Sequence, residues 1–234
     1  MLCEPQDSSI DPASPVLILQ PELRHHPGMY EAIRLAFHVP DDDPCDDCMR
    51  SPDFSEQLAR FPEGQFVAVL HDLNGTDIVA GMAVTMRTNY EPTQPPLSWA
   101  EMLGSRGIAN HNPHGTWLYG AEMAVKPGFQ GRGIGTALYQ ARFELVRRLN
   151  LKGWYACGML MGYHRYAGQM TVREYGERVI RREMVDPTLT MQMNRGFRPL
   201  YVVEDYIPEP DASDAGVLIV WDNPDYDPQK GVVI

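Results

Sequence analysis

The chain has 234 residues, of which 44% are hydrophobic and 22% charged, and a formal net charge of −11. That composition predicts a packed globular core rather than disorder. The acidic balance argues against nucleic acid as a partner, since phosphate binding needs a basic face, and suits an amine-bearing substrate.

Residues 1–14 are acidic and proline-rich, lack the regions of a signal peptide, and read as a disordered tail. No apolar run approaches the roughly 18 residues of a membrane span, so no membrane partner and a cytoplasmic protein are expected. Pro15 to Leu19 predicts a first strand and Pro27 to Phe37 a helix. An acidic loop follows, with Asp41, Asp42, Asp43, Asp46 and Asp47 around Cys45-x-x-Cys48. Cys3 and Cys157 are the other two cysteines, too few for a disulfide framework. Without a second ligand pair, the C-x-x-C reads as solvated loop, not a metal or redox site. Ser51-Pro52-Asp53 opens a second helix, with Ser51 as N-cap, that stops before Pro62. Gln65 to Leu70 and Ile78 to Met86 read as a hairpin around an Asn74-Gly75 turn.

Residues 88–116 form a long connection with a helical piece from Trp99 to Leu103, and such connections are often functional. Leu118 to Val125 predicts a strand, and after a glycine turn a helix runs to about Asn150. Ile134, Leu138, Ala141, Leu145 and Leu149 form its buried stripe. Trp154 to Leu160 predicts the next strand, parallel to or splayed from Leu118 to Val125. Residues 161–186 are a helical insertion, in which Thr171-Val172-Arg173-Glu174 is a capping box. Asp186-Pro187 starts the last helix and Gly196 ends it. Leu200 to Ile207 and Gly216 to Asp222 close the chain as strands. The order predicts a single mixed α/β domain over 15–226, with 227–234 as a C-terminal tail.

The turn between strand and long helix, Gln130-Gly131-Arg132-Gly133-Ile134-Gly135, carries the most information. Glycines let the backbone approach a ligand, and the helix behind them points N–H groups and a positive dipole end at it, which suits a pyrophosphate. A P-loop needs a Lys-Ser/Thr pair that is missing here, and the glycine spacing is not that of a dinucleotide fingerprint. Q-x-x-G-x-G after a strand fits the pyrophosphate of an acyl-CoA.

From Glu122-Met123-Ala124-Val125 through Pro127, Gln130, Gly133 and Gly135 the sequence resembles the GNAT superfamily of acyl-CoA N-acyltransferases. Asn194-Arg195-Gly196-Phe197 looks like the family's last helix and the entry to its sixth strand. Asn110-His111-Asn112-Pro113, Leu118-Tyr119-Gly120 and Gly162-Tyr163-His164-Arg165-Tyr166-Ala167 resemble one branch, which in some bacterial proteins precedes a carbon–nitrogen hydrolase domain. The resemblance implies a central mixed six- to seven-stranded twisted sheet flanked by helices, with a helical insertion after the fifth strand. It implies an N-acyltransferase, acetyl in the first instance, in which a small-molecule or peptide amine attacks the thioester of acetyl-CoA without a metal. The alternative is an acyl-CoA-binding sensor working with a hydrolase partner. Exposed strand edges leave room for a homodimer.

Residue by residue, the resemblance places the donor on Met123, Ala124, Val125 and Lys126, and on Gln130, Gly131, Arg132, Gly133, Ile134, Gly135 and Thr136. Glu122 stands at the general-base position. The family's usual acid, a tyrosine four residues before the glycine of the final helix, is Gln192 here. Tyr163, His164 and Tyr166 take its place as candidates for the acid, and His111 and Asn112 are candidates for substrate contact.

Overall fold

The computed structural model describes residues 14–40 and 42–233. The expected N-terminal tail, apart from Ser14, and Asp41 of the acidic loop lie outside the described residues. Seven strands form one mixed sheet: β1 (Leu17–Leu19), β2 (Gln65–His71), β3 (Asp77–Thr88), β4 (Trp117–Val125), β5 (Gly153–Met159), β6 (Arg198–Val203) and β7 (Gly216–Asp222). Their hydrogen-bonded order is β1-β2-β3-β4-β5-β7-β6. Among the described residues six α-helices accompany them: α1 (His26–Ala36), α2 (Ser51–Arg60), α3 (Trp99–Leu103), α4 (Ile134–Arg148), α5 (Val172–Ile180) and α6 (Leu189–Asn194). The chain divides into two compact units. One holds the described part of Met1–Met86 with Arg106–Ala109 and Ala121–Leu145; the other holds Arg87–Ser105, Asn110–Gly120 and the described part of Val146–Ile234.

In the first unit β2 pairs antiparallel with both β1 and β3. Gln65 to Leu70 is buried throughout, which is why it reads as an unbroken apolar run rather than an alternating one. The hairpin turn is tied by Asp72, whose Oδ1 accepts from the N–H groups of Asn74 (2.7 Å) and Thr76 (2.8 Å), with Gly75 at φ +81°.

Ser51 is not the N-cap of α2. Arg50 takes that position, and Asp53 accepts its N–H at 2.8 Å. The Ser51 hydroxyl instead bonds Nδ1 of His26, 2.9 Å away and buried beside Phe54. A buried imidazole needs a partner, and that tertiary demand overrides the local capping preference. Burial, then the neighbouring His25, lowers the His26 pKa from its ordinary 6.5, against a smaller upward push from Ser51. Below about pH 6.5 the unfolded chain therefore binds more protons than the folded one, and stability falls as pH falls. Melting temperatures between pH 7.5 and 5 should decline, and His26→Gln should flatten that slope.

The acidic loop is also more tightly built than expected. Cys45 and Cys48 are joined by a disulfide, and Cys48 and Met49 are buried. Asp43 accepts the Cys45 N–H at 2.7 Å. A spacing of three residues lets the two thiols meet, and here they are bonded, so the segment read as merely a solvated loop is a closed ring instead. Among the described residues, no group of three or more His, Cys, Asp or Glu is placed to hold a metal ion. No helix among them is long and apolar enough to cross a membrane.

In the second unit β4 runs parallel to β5, pairing Trp117 through Gly120 with Gly153 through Ala156. Antiparallel β7 lies between β5 and β6. The long connection carries α3, capped reciprocally by Ser98 and Glu101 and ended by Gly104 at φ +70°.

The helical insertion is held by Asp186, which is fully buried. Its Oδ2 accepts from the Gly162 N–H (2.8 Å) and the Tyr175 hydroxyl (3.1 Å), and its Oδ1 from the N–H groups of Thr188 and Leu189 (both 2.8 Å). The helix it opens begins at Leu189, two residues later than Asp186-Pro187 implied, and Gly196 at φ +95° ends it as expected. Asp186→Asn would set an NH₂ against two of these donors, at a cost of about 2 kcal/mol. Thermal melting should show a fall of about 6 °C for a chain of this size.

Residues 227–233, expected as a tail, are pinned. Asn150 accepts the Asp227 N–H at 2.9 Å and donates to the carbonyls of Asp227 and Gly231 at 2.8 and 2.9 Å. Arg87, buried, donates to the Val233 carbonyl at 2.8 Å.

Candidate functional site

The glycine turn leaves β4 at Val125 and enters α4 at Ile134. Gly128, Gly131 and Gly133 have φ of +78°, +77° and +81°, a conformation L side chains rarely adopt. A Cβ on any of the three would meet nothing within 4 Å, so the space over the turn is open. Gln130, Gly131 and Gly133 are exposed, and the Arg132 guanidinium lies 5.9 Å from the Phe129 ring centre. The first i→i−4 bond of the helix runs from Ala137 to Gly133 at 2.9 Å. The N–H groups of Ile134 and Gly135 precede that ladder and point out of the helix end with the positive pole of its dipole. Positive φ, open space and helix-end N–H groups fit a pyrophosphate.

Two packing features hold the turn in place. Gly81 on β3 lets the Ala124 carbonyl come close: a Cβ there would sit 2.8 Å from that oxygen and 3.2 Å from Ile134. Arg142 is buried at the place where the helical stripe was expected to continue through Ala141, which is only half-buried. Its Nε donates to the Leu138 carbonyl at 3.1 Å, its Nη2 lies 2.7 Å from the Met123 sulfur, and it stacks 4.6 Å from the Tyr139 ring centre. Arg142 thereby joins α4 to the strand beside the turn. Neither residue was singled out from the sequence, because a glycine in a strand and an arginine in a helix carry no local mark of what they pack against.

Glu122 is half-exposed on β4, and its Oε1 accepts the Met123 N–H at 2.8 Å. Lys126 departs from expectation. Its N–H donates to the Ala80 carbonyl at 2.9 Å and its ammonium pairs with Glu31, so both groups expected to face the donor are engaged within the protein.

His111 and Asn112 secure the end of β3. The Arg87 N–H donates to His111 Nδ1 at 3.1 Å, and the Asn112 N–H donates to the Arg87 carbonyl at 2.9 Å. Tyr163, His164 and Tyr166 sit on one short turn. Tyr163 donates to the Met170 carbonyl at 3.1 Å, His164 is exposed with Nδ1 2.9 Å from the Met161 carbonyl, and Tyr166 stacks on Tyr175 at 5.3 Å. Gln192 is buried on α6, and its Oε1 would lie 2.1 Å from a Cβ built on Gly158 of β5. The missing tyrosine is thus replaced by an amide packed against the sheet.

A family model described as the acetyltransferase (GNAT) family matches residues 27–160. YhcX of Bacillus subtilis, named as a hydrolase, is 38% identical over 174 residues, which are 74% of this chain and 33% of that protein. The chain therefore spans about a third of the length of that relative. The uncharacterised N-acetyltransferase YkwB of the same organism is 30% identical over 169 residues, 72% of this chain and 73% of that protein. Among solved structures, the GNAT-like decarboxylase GphF in complex with isobutyryl-CoA has a TM-score of 0.68 at 19% identity. It covers 88% of this chain and 99% of its own, a likeness of fold.

Proposed function

Because the chain belongs to the acetyltransferase (GNAT) family, we propose that it moves an acetyl group from acetyl-CoA to a primary amine by direct attack on the thioester. The observation that carries this reading is the open turn at Gly131 and Gly133, with the N-terminal end of α4 behind it. Gln130 through Thr136 hold the pyrophosphate, and the β4 backbone from Met123 to Val125 lies along the pantetheine arm. When bound, acetyl-CoA supplies the activated acyl carbon.

Glu122 takes the proton of the attacking nitrogen, directly or through a water. One C–N bond forms, the C–S bond breaks, and a proton ends on the sulfur of CoA. With Gln192 unable to act as a phenol does, the proton for the sulfur comes from the segment of Tyr163, His164 and Tyr166. His111 and Asn112 shape the acceptor side by fixing the end of β3.

The test is CoA release from acetyl-CoA over a panel of primary amines. Saturable turnover with at least one amine is expected. Tight acetyl-CoA binding without turnover on any amine would overturn the enzymatic reading in favour of a sensor.

A further inference from the structure

The ring closed by Cys45 and Cys48 lies wholly in the first unit, together with α2 and Arg106 to Ala109. In the loop-entropy account a disulfide stabilises by restricting the unfolded chain, and the effect grows with the length of the loop it closes. A sequence separation of three is near the short limit, so this bond is a weak staple.

The ring also keeps its shape by other means. The Cys48 N–H donates to the Cys45 carbonyl at 3.0 Å and closes a turn without help from sulfur. Asp43 accepts the Cys45 N–H at 2.7 Å, and Arg50 donates to the carbonyls of Pro44 and Cys45. Arg106 donates to the Asp46 carbonyl and pairs with Asp53 at 3.3 Å. Gln57 of α2 donates to the Arg106 carbonyl at 2.6 Å and meets the buried Met49 sulfur at 3.2 Å. These bonds hold Cys45 at φ +46°, a region L side chains seldom enter. With the S–S bond opened they still keep the two thiols side by side, ready to close again.

The two cysteines are unequally placed. Cys48 is 3% exposed, whereas Cys45 is only half-buried. An incoming thiolate needs access to the sulfur it attacks, which selects Cys45. Asp42, Asp43, Asp46 and Asp47 stand exposed in and beside the ring. Their carboxylates disfavour an anionic visitor and favour a cationic one.

We propose that Cys45 and Cys48 are a reversible redox pair, a second activity of this chain, which exchanges with neutral or cationic thiols through Cys45. A thiolate of a dithiol reductant attacks Cys45 Sγ, the S–S bond breaks, and Cys48 leaves and takes up a proton. The reductant's second thiolate then attacks its own sulfur in the mixed disulfide and frees Cys45. The reductant gives up two electrons and two protons and becomes a disulfide, and the pair gains both as two thiols. The inference is independent of the acetyl-transfer reading.

The experiment uses the folded chain carrying Cys3→Ser, which removes the thiol outside the described residues. Treatment with dithiothreitol in the absence of denaturant, then acid quenching and alkylation in denaturant, counts the thiols. One free thiol, that of Cys157, should become three, and melting should come about 6 °C lower. Cystamine, a cationic disulfide, should return the count to one. Cys48→Ser should capture half a cystamine at Cys45 at least about tenfold faster than Cys45→Ser captures it at Cys48. It should also react with cystamine at least about threefold faster than with anionic oxidised glutathione, a lead that about 0.5 M salt removes. Thiols that appear only in denaturant, or reduction that unfolds the chain, make the bond a structural staple and overturn the proposal. Equal or faster capture at Cys48 overturns Cys45 as the point of attack. A lead for glutathione, or one that salt does not change, overturns the class of partner. The reduction and re-oxidation measurements keep both cysteines, so they decide the matter even where a serine variant fails to fold.

Discussion

Replacing Glu122 by glutamine should lower kcat by about 10²- to 10⁴-fold, the range a positioned general base supplies, with little change in the dissociation constant for acetyl-CoA. The substitution keeps the shape of the side chain and an oxygen able to accept the Met123 N–H, so β4 should stay in place. Only the capacity to take a proton is lost. The measurement is steady-state CoA release beside calorimetric binding of acetyl-CoA. Undiminished turnover would remove Glu122 as the base, and lost donor binding would make its role structural.

The second large effect is expected at Gly133. With φ at +81°, valine there is a backbone outlier, because a branched side chain in the left-handed region is strongly disfavoured. The cost of about 1–2 kcal/mol, together with a side chain standing where the phosphate approaches, should raise KM for acetyl-CoA at least tenfold. That strain falls on the folded state, so melting should come about 2–8 °C lower even though a Cβ at that position meets nothing within 4 Å. Gly75→Val is the control: it has the same φ of +81° and the same open space, in the hairpin turn between β2 and β3. If Gly133→Val leaves KM unchanged, the turn does not seat the donor.

The features legible in the sequence were those written locally. The glycine turn, the Asn74-Gly75 hairpin, the N-cap at Thr171 and the final Gly196 each depend on a few adjacent residues, and each stands where it was expected, although Glu174 pairs with Arg178 rather than closing a capping box. What stayed hidden depends on partners far apart in the chain. Lys126 is turned away from its expected task by Glu31, 95 residues earlier. Ser51 leaves its capping role for a buried histidine 25 residues away. Asp186 ties Gly162 and Tyr175 to the start of the last helix across as many as 24 residues, and no spacing rule relates them. Of the candidate site, the glycine turn proposed for the donor was therefore readable, whereas the residues proposed for the acceptor come from separate segments that no local pattern relates.

Asn150 deserves a last consequence. It sits just beyond α4 at φ +52°, and one amide both accepts from and donates to the closing segment, while the Val233 N–H reaches the Leu149 carbonyl at 3.1 Å. The end of the helix and the end of the described chain thus share hydrogen bonds that must break together. In terms of local unfolding, residues 227–233 belong to the same cooperative unit as the last turn of α4 and do not fray independently of it.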